Sequence, residues 1–287
     1  MTDDPFVAHR SLLFTVAYEM LGSAADAEDV VQESWLRWAD VDQAQVRDPR
    51  AYLVRIVTRL ALNRLRALAR QREDYVGPWL PEPLLTSPDV AVDAELAENV
   101  SIAMLTVLET LGPAERAVFV LREVFDTPYD EIAEVVGKTP AAVRQIANRA
   151  REHVAARRPR MRVDRAQQQA AVEKFTAAVS TGDVQSLVEV LAPDVVVVAD
   201  GGGQVAAARK PITGVEKVAA FLARAARVPD LAATTAWFNG TPGARIDIGG
   251  AATAVSPVVE DGRITRVYAI RNPNKLGRLD EVAELRR

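Results

Sequence analysis

The apolar residues of this chain change their spacing part-way along, and that change limits what it can fold into. Up to about residue 192 they recur at helical intervals; beyond it, apart from a helical stretch at 215–228, they gather in short runs of strand length. Phe6, Leu12, Leu13, Val16, Ala17, Met20 and Leu21 predict a helix that stops at Gly22. At the other end, after the apolar run DVVVVAD (194–200), the runs 231–238, 244–249, 252–259 and 264–270 read as strands, with turns at Gly249-Gly250 and Asp261-Gly262. Helices first and an antiparallel sheet afterwards describe helical domains followed by an α+β domain of about 110 residues, not an alternating βαβ chain.

Residues with a defined role at helix ends divide the helical part. Ser23 can cap a helix whose first turns hold Asp26, Glu28 and Asp29, charges suited to a helix N-terminus. Its apolar residues include Trp35 and Trp38, both read as core. Asp48-Pro49 opens a long helix to Arg72, with Tyr52, Leu53, Ile56, Val57, Leu60, Ala61 and Leu65 on one side and arginines over much of the rest. The stretch 74–92 holds four prolines and a glycine and reads as a linker, yet it carries Trp79, Leu80, Leu84 and Leu85, which are costly to leave in water. Helical spacing resumes and ends in PYDEIAEVVGKTPAAVRQIANRAREHV (128–154). There Gly137 stops one helix, and Thr139-Pro140 caps and starts the next. Val143, Ile146, Ala147 and Ala150 form the second helix's apolar stripe; Arg144, Asn148, Arg149 and Arg151 lie off it. Two helices with a short turn and a basic second helix have the form of a helix-turn-helix, a form that ordinary helical hairpins share.

The net charge of -4 conceals strong local asymmetry. Residues 1–46 sum to -7, 47–72 to +7, 73–137 to -12 and 138–169 to +7. Two basic helical blocks separated by an acidic one can grip a phosphate backbone at two places. On the second block, arginine can fork to guanine or phosphate and Asn148 can pair with adenine.

Other chemistry is restricted. Cysteine is absent and the histidines are His9 and His153, neither in the C-terminal part, so a thiolate metal site, a disulfide or a Ser-His-Asp triad there is excluded. Asp200, followed by Gly201, Gly202 and Gly203, is the carboxylate to weigh as a base. A surface turn is the plainer reading, and the glycine run matches neither a phosphate-binding loop nor the dinucleotide fingerprint. No metal, cofactor or catalytic residue is expected. No apolar run approaches a membrane span, and the acidic start MTDDPF lacks a signal-peptide core, which predicts a cytoplasmic location.

A family resemblance rests on longer matches. AEDVVQESWLRW (27–38) followed by DPRAYLVRIVTRLALNRLRALARQRE (48–73) resembles region 2 of bacterial sigma factors, and 111–154 resembles their region 4. The pair without a third domain between them is the pattern of the extracytoplasmic-function class. WLPEP (79–83), DGGG (200–203) and NPNKL (272–276) resemble the signatures of its SigJ-like subgroup with a fused C-terminal SnoaL-like domain. The resemblance implies a multidomain chain: two all-α domains, the second with the helix-turn-helix, then a cone-shaped α+β domain. The boundaries would be 1–73, a linker 74–94, 95–157, a short linker 158–166, and 167–287.

The resemblance also implies roles. Asp26, Asp29, Glu33 and Trp35 would meet the clamp coiled coil of the largest subunit of core RNA polymerase. Arg55, Arg59, Asn63 and Arg64 would read and help melt the minus-ten element, holding the non-template strand. Arg144, Asn148, Arg149 and Arg151 would read the minus-thirty-five element as double-stranded DNA. Trp79, Leu80, Pro81, Asp200, Gly201, Gly202, Gly203, Asn272, Pro273, Lys275 and Leu276 would form an interdomain regulatory contact, with WLPEP docked near DGGG. A small ligand in the C-terminal pocket is a further expected partner. The alternative is a DNA-binding protein whose SnoaL-like domain is a small-molecule enzyme or sensor.

Overall fold

The computed structural model describes residues 4–72, 74–158 and 164–286. They form two compact units: Met1–Glu73 with Leu105–Arg158 and Glu284–Arg287, and Asp74–Met104 with Pro159–Ala283. Residues 95–104, which the sequence reading joins to the helix-turn-helix, thus group with the sheet. Most of the expected 158–166 tether lies outside the described residues.

The first unit is helical for the reasons legible in its caps. Asp4 accepts the Phe6 N–H to start α1 (Pro5–Leu21), and Gly22 ends it in the left-handed region at φ 66°. Ser23 accepts the Asp26 N–H to start α2 (Ala24–Ala39), and α3 runs over Pro49–Arg72. Residues 12–21 of α1 are all buried, because α2 and α3 both pack on it. Trp38 is buried against Tyr52, ring centroids 5.8 Å apart, as a core residue should be.

After α4 (Ala94–Val100) and α5 (Ile102–Leu108) come α6 (Pro113–Phe119), α7 (Tyr129–Val136) and α8 (Pro140–Ala155). The end of α6 widens into a π turn over Val120–Val124. Arg116 of α6 is buried and ties α6 to α1: its Nε donates to the Glu19 carbonyl at 3.0 Å, while Nη1 pairs with Glu109.

The second unit holds α9 (Arg165–Thr181), α10 (Val184–Val190), α11 (Val215–Ala225) and strands β1 (Leu191–Asp200), β2 (Ile212–Thr213), β3 (Ala232–Phe238), β4 (Thr241–Ile248), β5 (Ala251–Glu260) and β6 (Arg263–Ile270). One face of the sheet packs Val197, Val267, Val255 and Ile246 against Phe175, Val179 and Leu222 of the helices. The other face packs Tyr268, Ile270, Ala254 and Phe238 against Leu80 of the linker, Ile102, Ala103 and Leu279 of the tail.

The cone-shaped domain expected from the sequence does not form. The strand order is β2-β1-β6-β5-β4-β3, and among the described residues the outermost strands β2 and β3 do not pair with each other, so the sheet stays open. Two features explain it. With two residues, β2 offers too little ladder to close a ring. Both faces are already covered, helices on one and linker with tail on the other, so closure would bury little more. Nor is the sheet wholly antiparallel, since β1 runs parallel to β6 with Val197 opposite Val267. The exposed edge of β3 is partly shielded by the linker: Leu85 bridges Phe238, and the Thr86 N–H donates to the Trp237 carbonyl at 2.9 Å.

Candidate nucleic-acid interface and linker clamp

The helix-turn-helix is built as its sequence suggests. Gly137 caps α7 at φ 69°, its N–H on the Ala133 carbonyl, and Thr139 Oγ1 accepts the Ala142 N–H at 3.2 Å to start α8. Val143, Ile146, Ala147, Ala150 and Val154 are buried, which turns Arg144, Asn148, Arg149 and Arg151 outward. These four are not equivalent. Arg144 lies over the Tyr129 ring, 5.5 Å from its centroid, and Arg151 bonds Asn148 and faces Glu123 at 3.6 Å. Arg149 is exposed on the same helix.

On α2 and α3 the structure brings together residues expected to serve different partners. Arg64 donates to Asp26 at 2.7 Å and lies 3.6 Å from Asp29. Glu33 pairs with Arg37 at 2.7 Å beside Trp35, which is 46% exposed, and Leu36, 59% exposed. Trp35 therefore departs from the core role that its sequence neighbourhood suggests, while Trp38 keeps it. Asn63 is exposed and accepts from Arg66. Arg55 Nη1 lies 3.4 Å from Glu134 Oε2 of α7, and Arg59 donates to the Glu134 carbonyl at 3.0 Å.

The second unit holds a clamp around Asp200. A surface turn is not what this residue makes, because it is fully buried. Its Oδ1 accepts from the Tyr75 hydroxyl at 2.6 Å and the Gly202 N–H at 3.0 Å; its Oδ2 accepts from the Leu80 N–H at 2.9 Å and Lys275 Nζ at 2.7 Å. Lys275 Nζ also donates to the Leu80 carbonyl at 2.5 Å and sits 3.9 Å from the centre of the Trp79 ring. Asn272 Nδ2 donates to the Tyr75 oxygen at 2.7 Å. A buried carboxylate is tolerable here because a cation and three hydrogen bonds meet it.

The glycines follow from crowding. A Cβ on Gly202, at φ 58°, would stand 2.3 Å from Asn272 Nδ2, and one on Gly201 would stand 2.6 Å from the Val205 carbonyl oxygen. Trp79, Leu80, Asp200, Gly201, Gly202, Asn272 and Lys275 thus share one site, with Pro81 buried beside it and Leu276 in the same apolar cluster as Leu80. Gly203 packs near Val76, and Pro273 is exposed in the turn that presents Lys275.

Tyr75 and Asn239 escape the sequence reading. Burial and the bond to Asp200 push the Tyr75 phenol up, so it stays a donor to the carboxylate. Buried Asn239, at φ 55°, accepts the Leu84 N–H at 2.9 Å and donates to the Val100 carbonyl at 2.8 Å. The Asn239-Gly240 pair between two strand-like runs is a hairpin signal that would have drawn attention to it. Among the described residues no cluster of His, Cys, Asp and Glu could hold a metal, and no helix is long and apolar enough to cross a membrane.

A basic helix-turn-helix packed with an arginine-bearing three-helix bundle defines the class, and the family comparisons agree: residues 6–71 match Sigma-70 region 2 and residues 101–154 match Sigma-70 region 4. Over 289 aligned residues, 94% of this chain and 91% of the relative, it is 38% identical to the ECF RNA polymerase sigma factor SigJ of Mycobacterium tuberculosis. It is 32% identical to the probable ECF RNA polymerase sigma factor SigI of that species, over 94% of this chain and 92% of the relative. The crystal structure of M. tuberculosis SigJ superposes with a TM-score of 0.74 at 35% identity, covering 94% of this chain and 96% of that one. The chain belongs to the extracytoplasmic-function sigma factors. It is a specificity factor that directs RNA polymerase to promoters, and not itself an enzyme.

Proposed function

We propose that this sigma factor is regulated through its own linker, which the C-terminal unit holds by the Asp200 clamp. The observation that carries the reading is the burial of the segment 80–84 together with the bonds from Leu80 to Asp200 and Lys275. A connection between two DNA-reading regions needs slack, and a clamped one has less. WLPEP, DGGG and NPNKL support a SnoaL-like, regulatory C-terminal unit that works in the cytoplasm with core polymerase.

The surfaces divide as follows in this proposal. Asp29, Glu33 and Trp35 on α2, supported by Asp26, meet the polymerase clamp coiled coil. Arg55, Arg59, Asn63 and Arg64 on α3 face the minus-ten element and its melted non-template strand. Arg144, Asn148, Arg149 and Arg151 read the minus-thirty-five element in the major groove. The two elements lie at separate points along one duplex, so the helices that read them have to stand apart on a promoter. Yet Arg55 and Arg59 of α3 bond Glu134 at the foot of the helix-turn-helix. The described arrangement is therefore a closed one that opens on the polymerase. The test is run-off transcription with purified core polymerase on a promoter library. Start sites that depend on this chain and disappear with Arg149→Ala support the assignment; start sites indifferent to α8 substitutions refute it.

A further inference from the structure

The helix-covered face of the sheet is not filled. Between α9, α11 and the strands lies a cavity of about 80 Å³ with walls of Phe175, Val197, Leu222, Ile246, Val255 and Val267. Two polar side chains interrupt this apolar lining, Thr253 and Arg271. Thr253 is 4% exposed, and its Oγ1 has no hydrogen-bond partner among the described residues. Arg271 Nη1 donates to the Ala206 carbonyl at 3.0 Å, but its Nε is buried and likewise without a partner.

The two belong to one place. Ala254 pairs with Ile270 and Val255 with Ala269 across β5 and β6; Thr253 and Arg271 each lie one residue beyond the last pair and line the same cavity. Leaving a buried polar group unmatched costs about 1–3 kcal/mol, more when it is charged. Burial also pulls the Arg271 guanidinium down. A cationic donor and a hydroxyl at one end of an apolar hole are complementary to a carboxylate carried on a short hydrocarbon body. Size narrows the class: an engineered apolar cavity of roughly 150 Å³ holds benzene, and this one is about half as large.

We propose that this cavity binds a short aliphatic monocarboxylate of about two to three carbons, its carboxylate held by Arg271 Nε and Thr253 Oγ1 and its chain by the apolar walls. The site is independent of the linker clamp for binding, yet adjacent to it. Ala199 lines the cavity while the next residue, Asp200, holds the linker; Arg271 lines the cavity while Asn272 holds Tyr75. The Arg271 and Asn272 N–H groups both donate to the Asp200 carbonyl, at 2.7 and 3.0 Å.

The experiment is isothermal titration of the full chain with propanoate and, separately, with propan-1-ol. Saturable binding of the acid is expected, at least about tenfold tighter than the alcohol, since the bond to a charged group is what differs. Arg271→Met should weaken the acid by about tenfold or more while leaving the alcohol little changed. Thr253→Val should weaken it by a smaller factor, and Ala225→Leu, which fills the cavity, should abolish binding. Melting curves of each variant without ligand check the fold; if Arg271→Met does not fold, Thr253→Val and Ala225→Leu decide the matter. An alcohol that binds as tightly as the acid, acid binding that survives Ala225→Leu, or no saturation by the acid up to tens of millimolar overturns the proposal.

Discussion

Asp200 shows how much one side chain can organise. Removing it leaves the Lys275 ammonium, the Tyr75 hydroxyl and the Leu80 N–H without their common acceptor, and breaking such a buried pair costs roughly 3–5 kcal/mol. Asp200→Ala should therefore lower the stability of the C-terminal unit by about that amount and open residues 74–87 to limited proteolysis; an unchanged digestion pattern would contradict the clamp. Glu19 offers a second residue-scale test. Burial pushes its carboxyl up to about 8, with the nearby Arg116 guanidinium offsetting only part of the effect, and neither carboxyl oxygen has a hydrogen-bond partner among the described residues. The folded state then holds a proton that the unfolded chain has released. Between about pH 4.5 and 8 this group makes the protein less stable as pH rises, by on the order of a few kcal/mol. Glu19→Gln should flatten that decline in urea melts across the window. A parallel pH profile in wild type and variant would show that Glu19 does not titrate there.

At the scale of elements, what was legible followed local chemistry. The caps at Ser23, Thr139-Pro140, Gly22 and Gly137, the buried stripe of α8 and four of the strands can be read from residue type and spacing, because each depends on neighbours within a turn or a pleat. What could not be read depended on distant partners. The two residues of β2 become a strand only because β1 lies beside them, and the parallel register of β1 on β6 joins segments some 70 residues apart. The openness of the sheet likewise follows from what covers its two faces, which no single segment records. Trp35 was misjudged as core for the same reason: the face of α2 it occupies is left uncovered in the first unit. That exposure leads to a prediction. Asp29→Lys with Glu33→Lys should weaken binding to core polymerase without lowering the melting temperature, since both side chains are exposed. On α8, Arg149→Ala should relax preference at one promoter position by about 1–3 kcal/mol. Arg151→Ala should weaken all sequences alike and reduce the salt dependence by about one ion. Equal effects of the two substitutions across promoter variants would deny them separate roles.

For the molecule as a whole, the linker has two competing demands on it. In the proposed reading it connects two regions that stand apart on a promoter, and it supplies Leu80 and Leu85 to the apolar face of the C-terminal sheet. Fully extended, the 21 residues of the linker 74–94 reach roughly 70 Å, so a linker that gives up part of its length to the clamp spans less. The salt bridge between Arg55 and Glu134 is exposed and adds at most about 1 kcal/mol to the closed arrangement, in which buried Arg116 also ties α6 to α1. The measurement that reaches this claim most directly is run-off transcription by core polymerase with the wild-type chain, Asp200→Asn and Lys275→Met, each at matched polymerase occupancy. Release of the linker should raise promoter-specific transcript several-fold, with promoter preference unchanged. Transcript levels identical to wild type, in variants whose linker has been shown by proteolysis to be free, would contradict control through the clamp.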